Sequence, residues 1–232
     1  MRPIPRPLRF AILAFLPLVF TLVPPFHRFP AANAATMPPL FNSLEESQDD
    51  LTYLPQWLSA LERHITQDTP EGDCTSPELN QCHLQKWHAF LEEIRNKPRR
   101  QQIEAVNSYA NKKNYVVDMV NYAAEDYWAI PKEFLYNGGD CEDFAITKFF
   151  SLRWLGYLDN DIRLLIIQDT NLHIQHAILM VLDQGKLLVL DNQSQEVVAQ
   201  EKIRHYVPLY SLNEKQWWVH VPPNQPITDH TP

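Results

Sequence analysis

From Leu51 onward the apolar residues Leu51, Leu54, Leu58, Leu61 and Ile65 recur three and four positions apart. That spacing aligns them on one face of a helix, so residues 48–65 are read as a first amphipathic helix. A Pro- and Ser-containing stretch over 36–46 reads as a loose lead-in to it. Residues 84–94 repeat the helical pattern through Trp87, Phe90, Leu91 and Ile94, and Pro98 opens a third stretch running to Asn111. Residues 116–127 are mixed and give only a weak helical signal. Residues 140–156, DCEDFAITKFFSLRWLG, give a strong one that stops at Gly156. Cys141, Ala145, Phe149, Leu152 and Leu155 form a stripe on this helix, and that face is expected in the core.

Beyond Gly156 the period changes. Residues 162–168, 176–182 and 186–190 are short, apolar and partly β-branched, the pattern of strands. Runs around Val197, over 206–210 and over 217–221 extend the sheet. Helices first and a mostly antiparallel sheet afterwards make an α+β architecture.

The N-terminus adds a compartment. Arg2, Arg6 and Arg9 precede an apolar run over 10–20, and Ala32-Asn33-Ala34 carries the small-x-small pattern of a signal peptidase site. Residues 1–34 are thus expected to be a signal peptide, with an uncleaved anchor as the alternative. The run is shorter than the roughly 20 residues of a membrane span. Residues 35–232 are expected to form a single domain. Four of the 20 Lys and Arg lie in the first 34 residues, which hold no acids, so the remainder carries 16 basic against 28 acidic residues, a formal charge of −12. Such a surface argues against nucleic acid or anionic lipid as partners.

Three cysteines in an exported chain form an odd set. Cys74 and Cys82 lie close together in a polar segment and are expected to close a short loop as a disulfide. Zinc held by Cys74, Cys82, His83 and His88 is the rival, although its spacing fits no finger pattern. Cys141 then remains as a free thiol.

That thiol lies in NGGDCEDF, residues 137–144, where two of the chain's five glycines precede it and three carboxylates surround it. With Asp140 as N-cap, Cys141 falls in the first turn of its helix. There the free backbone N–H groups and the positive helix end lower a thiol pKa and can hold an oxyanion. The carboxylates act in the opposite direction. A buried structural cysteine behind a tight turn is the alternative reading.

Downstream, a hairpin turning at Gln184-Gly185 pairs Asp183 with Lys186. Continuing that register sets Ile178 opposite Asp191, and strand alternation puts His176 and Ile178 on one face. Asp191 is then the diagonal neighbour of His176, at ~7–8 Å between Cα atoms. His173, an odd number of residues away, is assigned to the preceding loop. Cys141, His176 and Asp191 are the candidate nucleophile, base and orienting acid.

GGDCEDFAITKFFSLRWLG, His176-Ala177-Ile178-Leu179, Leu190-Asp191-Asn192, Pro98-Arg99-Arg100 and Glu125-Asp126-Tyr127-Trp128-Ala129 resemble the bacterial transglutaminase-like cysteine proteinases, in particular their periplasmic LapG type. The resemblance implies a papain/transglutaminase-like fold with that triad. It implies a periplasmic protease that cuts a large surface adhesin near its N-terminus, at a di-alanine site, and so promotes biofilm dispersal. It also implies an inner-membrane cyclic di-GMP receptor as inhibitor, and Ca²⁺ held beside the nucleophile by Asp140 and Glu142. Asp143 is either a further ligand or a partner of the helix N-terminus. Transglutaminase or amidase-type acyl transfer, and a non-enzymatic binding module, are the other functions such residues could serve.

Overall fold

The computed structural model describes residues 37–67 and 82–223, all within one compact unit, Ala34–Pro232. The first strand is β1 (Leu44–Gln48), followed by α1 (Pro55–Gln67), α2 (His83–Ile94), α3 (Arg99–Ala110), α4 (Asp118–Asn121), α5 (Pro131–Asn137) and α6 (Cys141–Trp154). Strands β2 (Ile162–Asp169), β3 (Ile174–Asp183), β4 (Lys186–Leu190), β5 (Val198–Ala199), β6 (Tyr206–Leu212) and β7 (Trp217–Val221) complete it. All seven strands join one sheet in the order β1-β7-β6-β2-β3-β4-β5, with every pairing antiparallel. The architecture is α+β, as expected.

The two faces of the sheet are covered differently. Leu164, Ile166, Ala177, Leu179, Val181, Leu188 and Leu190 pack against the helices. Their alternates Leu165, Ile167, Ile178, Met180, Leu187 and Val189 pack under Met37 and Leu40 from the N-terminal segment. Both faces are therefore apolar, which is why β2 and β3 read as near-continuous hydrophobic runs.

Three expectations need correction. The stretch read as lead-in contains β1, whose sequence LEESQ is too polar to announce a strand; it is an edge strand paired with β7. The first helix begins at Pro55, with a 3-10 turn over Leu51–Tyr53 before it. The helix α6 is buried on every side from Asp143 to Leu152, because it lies between the other helices and the sheet, so no single stripe describes it. Its end is as read: Gly156 follows in the left-handed region at φ 90°. Over 116–127 only α4 is helical. The expected signal peptide and residue Cys74 lie outside the described residues. Cys82 is disulfide-bonded, which removes it from a zinc set, and Cys141 is a free thiol.

Candidate active site

The glycine pair shapes the approach to the thiol. Gly138 sits at φ 76°, and a Cβ there would lie 2.5 Å from the Asn114 carbonyl oxygen. At Gly139 a Cβ would lie 2.0 Å from Asp143 Oδ2. That bare backbone lets Asp143 fold back over the turn. Its carboxylate accepts from Asp140 N–H at 3.2 Å and from Ala129 N–H at 2.6 Å. Asp143 thus satisfies donors at the start of α6 and pins the Glu125–Ala129 loop to it. Arg63 of α1 holds the same loop, pairing with Glu133, donating to Trp128 O at 2.6 Å and lying 4.6 Å over the Tyr127 ring.

Cys141 opens α6. Its thiol donates to Glu142 Oε2 at 3.1 Å. Burial, and then the Glu142 carboxylate, push the thiol well above its ordinary range. The backbone of Ala177, next to His176 on β3, works to lower the thiol pKa. In this charge environment the sulfur keeps its proton.

Across the hairpin the register is as read: Asp183 pairs with Lys186 and Leu179 with Leu190, after which the ladder ends. His176 Nε2 lies 2.8 Å from Asp191 Oδ1, and both residues are buried. His173 sits in the turn before β3 at φ 60°. Asp191 Oδ1 also accepts from Gln193 N–H at 2.9 Å, and Oδ2 accepts from the Tyr206 hydroxyl at 2.7 Å. Burial works to raise the Asp191 pKa, but the hydrogen bonds from His176, Tyr206 and Gln193 hold it below the usual carboxylate value.

The acids form a larger set than the nucleophile's neighbours. Asp118, Asp126 and Glu142 bring carboxylate oxygens within 4.8 Å of one another, as do Asp118, Asp140 and Asp143. Burial, then like charge, lifts Asp118 to about 6 and Glu142 to about 8, and raises Asp140. Asp118 Oδ1 and Asp140 Oδ1 are buried without a donor among the described residues. Crowded carboxylates with orphaned oxygens are hard-donor chemistry that fits a divalent cation. The sequence pointed to Asp140 and Glu142. It missed Asp118, in a stretch without periodicity, and Asp126, whose only signal was its place in Glu125–Ala129. Tyr206 was missed as well.

The family model described as bacterial transglutaminase-like cysteine proteinase BTLCP matches residues 72–226. Among solved structures the chain is similar to LapG of Legionella pneumophila at 31% identity and a TM-score of 0.54, over 59% of this chain and 77% of that one. A calcium-bound and an EGTA-treated structure of the same LapG match at the same identity and score. No curated protein matches.

Proposed function

The chain belongs to the bacterial transglutaminase-like cysteine proteinases, as a cysteine protease of the LapG type, and we propose that it is a calcium-dependent endopeptidase acting in the periplasm on a large surface adhesin. The observation that carries the reading is the 2.8 Å His176–Asp191 contact at β3, the strand that packs against α6, which Cys141 opens. With Nε2 committed to Asp191, Nδ1 is the nitrogen that serves as base.

In the proposed reaction His176 Nδ1 takes the Cys141 proton and the thiolate attacks a peptide carbonyl carbon. The tetrahedral oxyanion is held by the Cys141 backbone N–H in the first turn of α6. Its collapse breaks the C–N bond, and the imidazolium gives its proton to the leaving amine. His176 then draws a proton from water, which adds to the thioester and releases the acid and the thiol. Asp191 keeps Nε2 protonated throughout, and so fixes the useful tautomer.

Asp118, Asp126, Asp140 and Glu142 would hold calcium, which when bound supplies positive charge against the carboxylates and engages the Glu142 group that otherwise holds the thiol proton. That a structure of the similar LapG is calcium-bound supports calcium as the ion. Asp143, already accepting two backbone N–H groups, acts as the helix partner. Export through residues 1–34, adhesin release at a di-alanine site with biofilm dispersal, and restraint by a cyclic di-GMP receptor in the inner membrane complete the proposal. They rest on the motif resemblance and the signal pattern; among the described residues no helix is long and apolar enough to cross a membrane.

The test is to mix the protein with the N-terminal part of a large adhesin bearing a di-alanine site, with calcium or EGTA and an added primary amine, and to weigh the products. Two fragments whose masses add up to the substrate plus one water, formed only in calcium and not by Cys141→Ala, support the proposal. A fragment carrying the amine reassigns the chain to acyl transfer. An intact adhesin with a sluggish Cys141 reduces it to a binding module.

A further inference from the structure

Tyr206 occupies a position that strand alternation does not predict. Leu212 and Tyr210 lie on the helix-facing side of the sheet, and Tyr206, of the same parity on β6, should join them. It packs instead on the opposite face with Ile167, Ile178 and Val189. The cause is a bulge. Between Ile166 and Ile167 the partner on β6 jumps from Tyr210 to Pro208, leaving Leu209 unpaired. One extra residue exchanges the two faces of everything beyond it. Without the bulge Val207, which is 38% exposed, would occupy the inward face.

The tyrosine so turned inward meets both members of the His–Asp pair. Its hydroxyl donates to Asp191 Oδ2 at 2.7 Å, and its ring stands edge-on to His176, with 6.2 Å between centroids and 63° between planes. Phe41 and His205 wall the ring from the other sides. Asp191 lies just past the last residue of β4, and its carboxylate is held by His176 and the Gln193 N–H at Oδ1 and by Tyr206 at Oδ2. Its carbonyl is tied by Asn111 Nδ2 at 2.8 Å, and the Lys148 ammonium of α6, fully buried without a hydrogen-bond partner among the described residues, is the other charge that faces it. Among the described residues only the Tyr206 hydroxyl engages Oδ2.

We propose that Tyr206 is a positioning residue for the reaction: its hydroxyl fixes the Asp191 carboxylate so that Oδ1 receives His176 Nε2–H, and its ring fixes the plane of the imidazole. The assignment rests on the cysteine-hydrolase reading above. A hydrogen bond to a buried carboxylate is one of the stronger kinds, and its loss should free Asp191 to turn.

A double-mutant cycle tests it without a natural substrate. The full chain in saturating calcium is treated with iodoacetamide, and Cys141 alkylation is followed by mass spectrometry for wild type, Tyr206→Phe, Asp191→Asn and the double variant. Tyr206→Phe is expected to slow alkylation about tenfold on its own but less than about twofold on top of Asp191→Asn, because two residues acting through one contact are not additive. Urea midpoints establish that each variant is folded. Should Tyr206→Phe not fold, 3-fluorotyrosine at 206 keeps the ring and the donor, and must retain the wild-type rate within about threefold. An unchanged rate in Tyr206→Phe, or an equal loss in both backgrounds, overturns the inference while leaving the hydrolase reading intact. A wild-type Cys141 no faster than an ordinary thiol sinks both.

Discussion

Among the described residues two buried histidines stand in the same sheet, and the proposed reaction uses only one of them. His176 has a carboxylate at 2.8 Å on one nitrogen and sits on β3, which packs against the helix that Cys141 opens. His220 on β7 bridges two hydroxyls instead, with Ser43 Oγ 2.7 Å from Nδ1 and Ser211 Oγ 2.8 Å from Nε2. With Glu45 3.9 Å away, Ser43 and His220 look superficially like a second hydrolase constellation. They are not one. The Ser43 hydroxyl already donates to the Leu40 carbonyl at 2.7 Å, so towards His220 it can only accept, and the imidazole has no proton to take from it. The cluster is a clamp that ties the chain just before β1 to β6 and β7. Cys141 differs because it opens α6, whose first-turn N–H groups lie at the sulfur.

The contrast breaks most sharply under substitution. Cys141→Ala should lower adhesin cleavage by on the order of 10³-fold or more, whereas His220→Asn, if folded, should stay within about threefold of wild type. Activity assays on both variants check this, and a folded His220→Asn without activity would erase the distinction.

Acid should separate the same two sites next. Burial drives the His220 pKa down from 6.5 to about 4. Above pH 6.5 the ring is neutral in both states. As pH falls through that window the unfolded chain takes a proton that the folded chain refuses, so stability is lost. The advantage of wild type over His220→Asn in urea denaturation should shrink by about 3 kcal/mol between pH 7 and pH 4. A gap that does not move with pH would mean that His220 is not held neutral.

Calcium should act on one cluster only. Asp126→Asn should raise the calcium concentration for half-maximal Cys141 alkylation about tenfold, the scale of one lost charged ligand. Asp143→Asn should instead lower the urea midpoint. If the two variants behave alike, the division between ligands and helix partner is wrong.

The smallest effect lies in the clamp. Ser43→Ala strands the His220 Nδ1–H and should cost about 1–2 kcal/mol of stability with unchanged turnover. Chemical denaturation beside a cleavage assay measures both.

Most of what could be read from the sequence was local. The β3–β4 hairpin was legible because Gln184-Gly185 fixes its register over a few residues, and that register carried as far as Leu190, the residue before Asp191. The start of α6 was legible because Gly138-Gly139 and Asp140 mark a turn into a helix, and Gly156 marks its end. β1 was not, since its five residues become a strand only by pairing with β7, more than 160 positions away. Asp118 and Asp126 were hidden for a similar reason: aperiodic chain reaches the acids of α6 only once Asp143 and Arg63 pin its loop.

The sequence alone therefore determined the elements whose signals lie within one turn or hairpin, and with them the proposed triad of Cys141, His176 and Asp191. Only the tertiary structure decided which acids gather, that α6 is buried all round, and that a single unpaired residue, Leu209, turns Tyr206 toward Asp191. Periodicity reports which face a residue takes while the register is unbroken, but a bulge or a long-range pairing is set by contacts between distant parts of the chain.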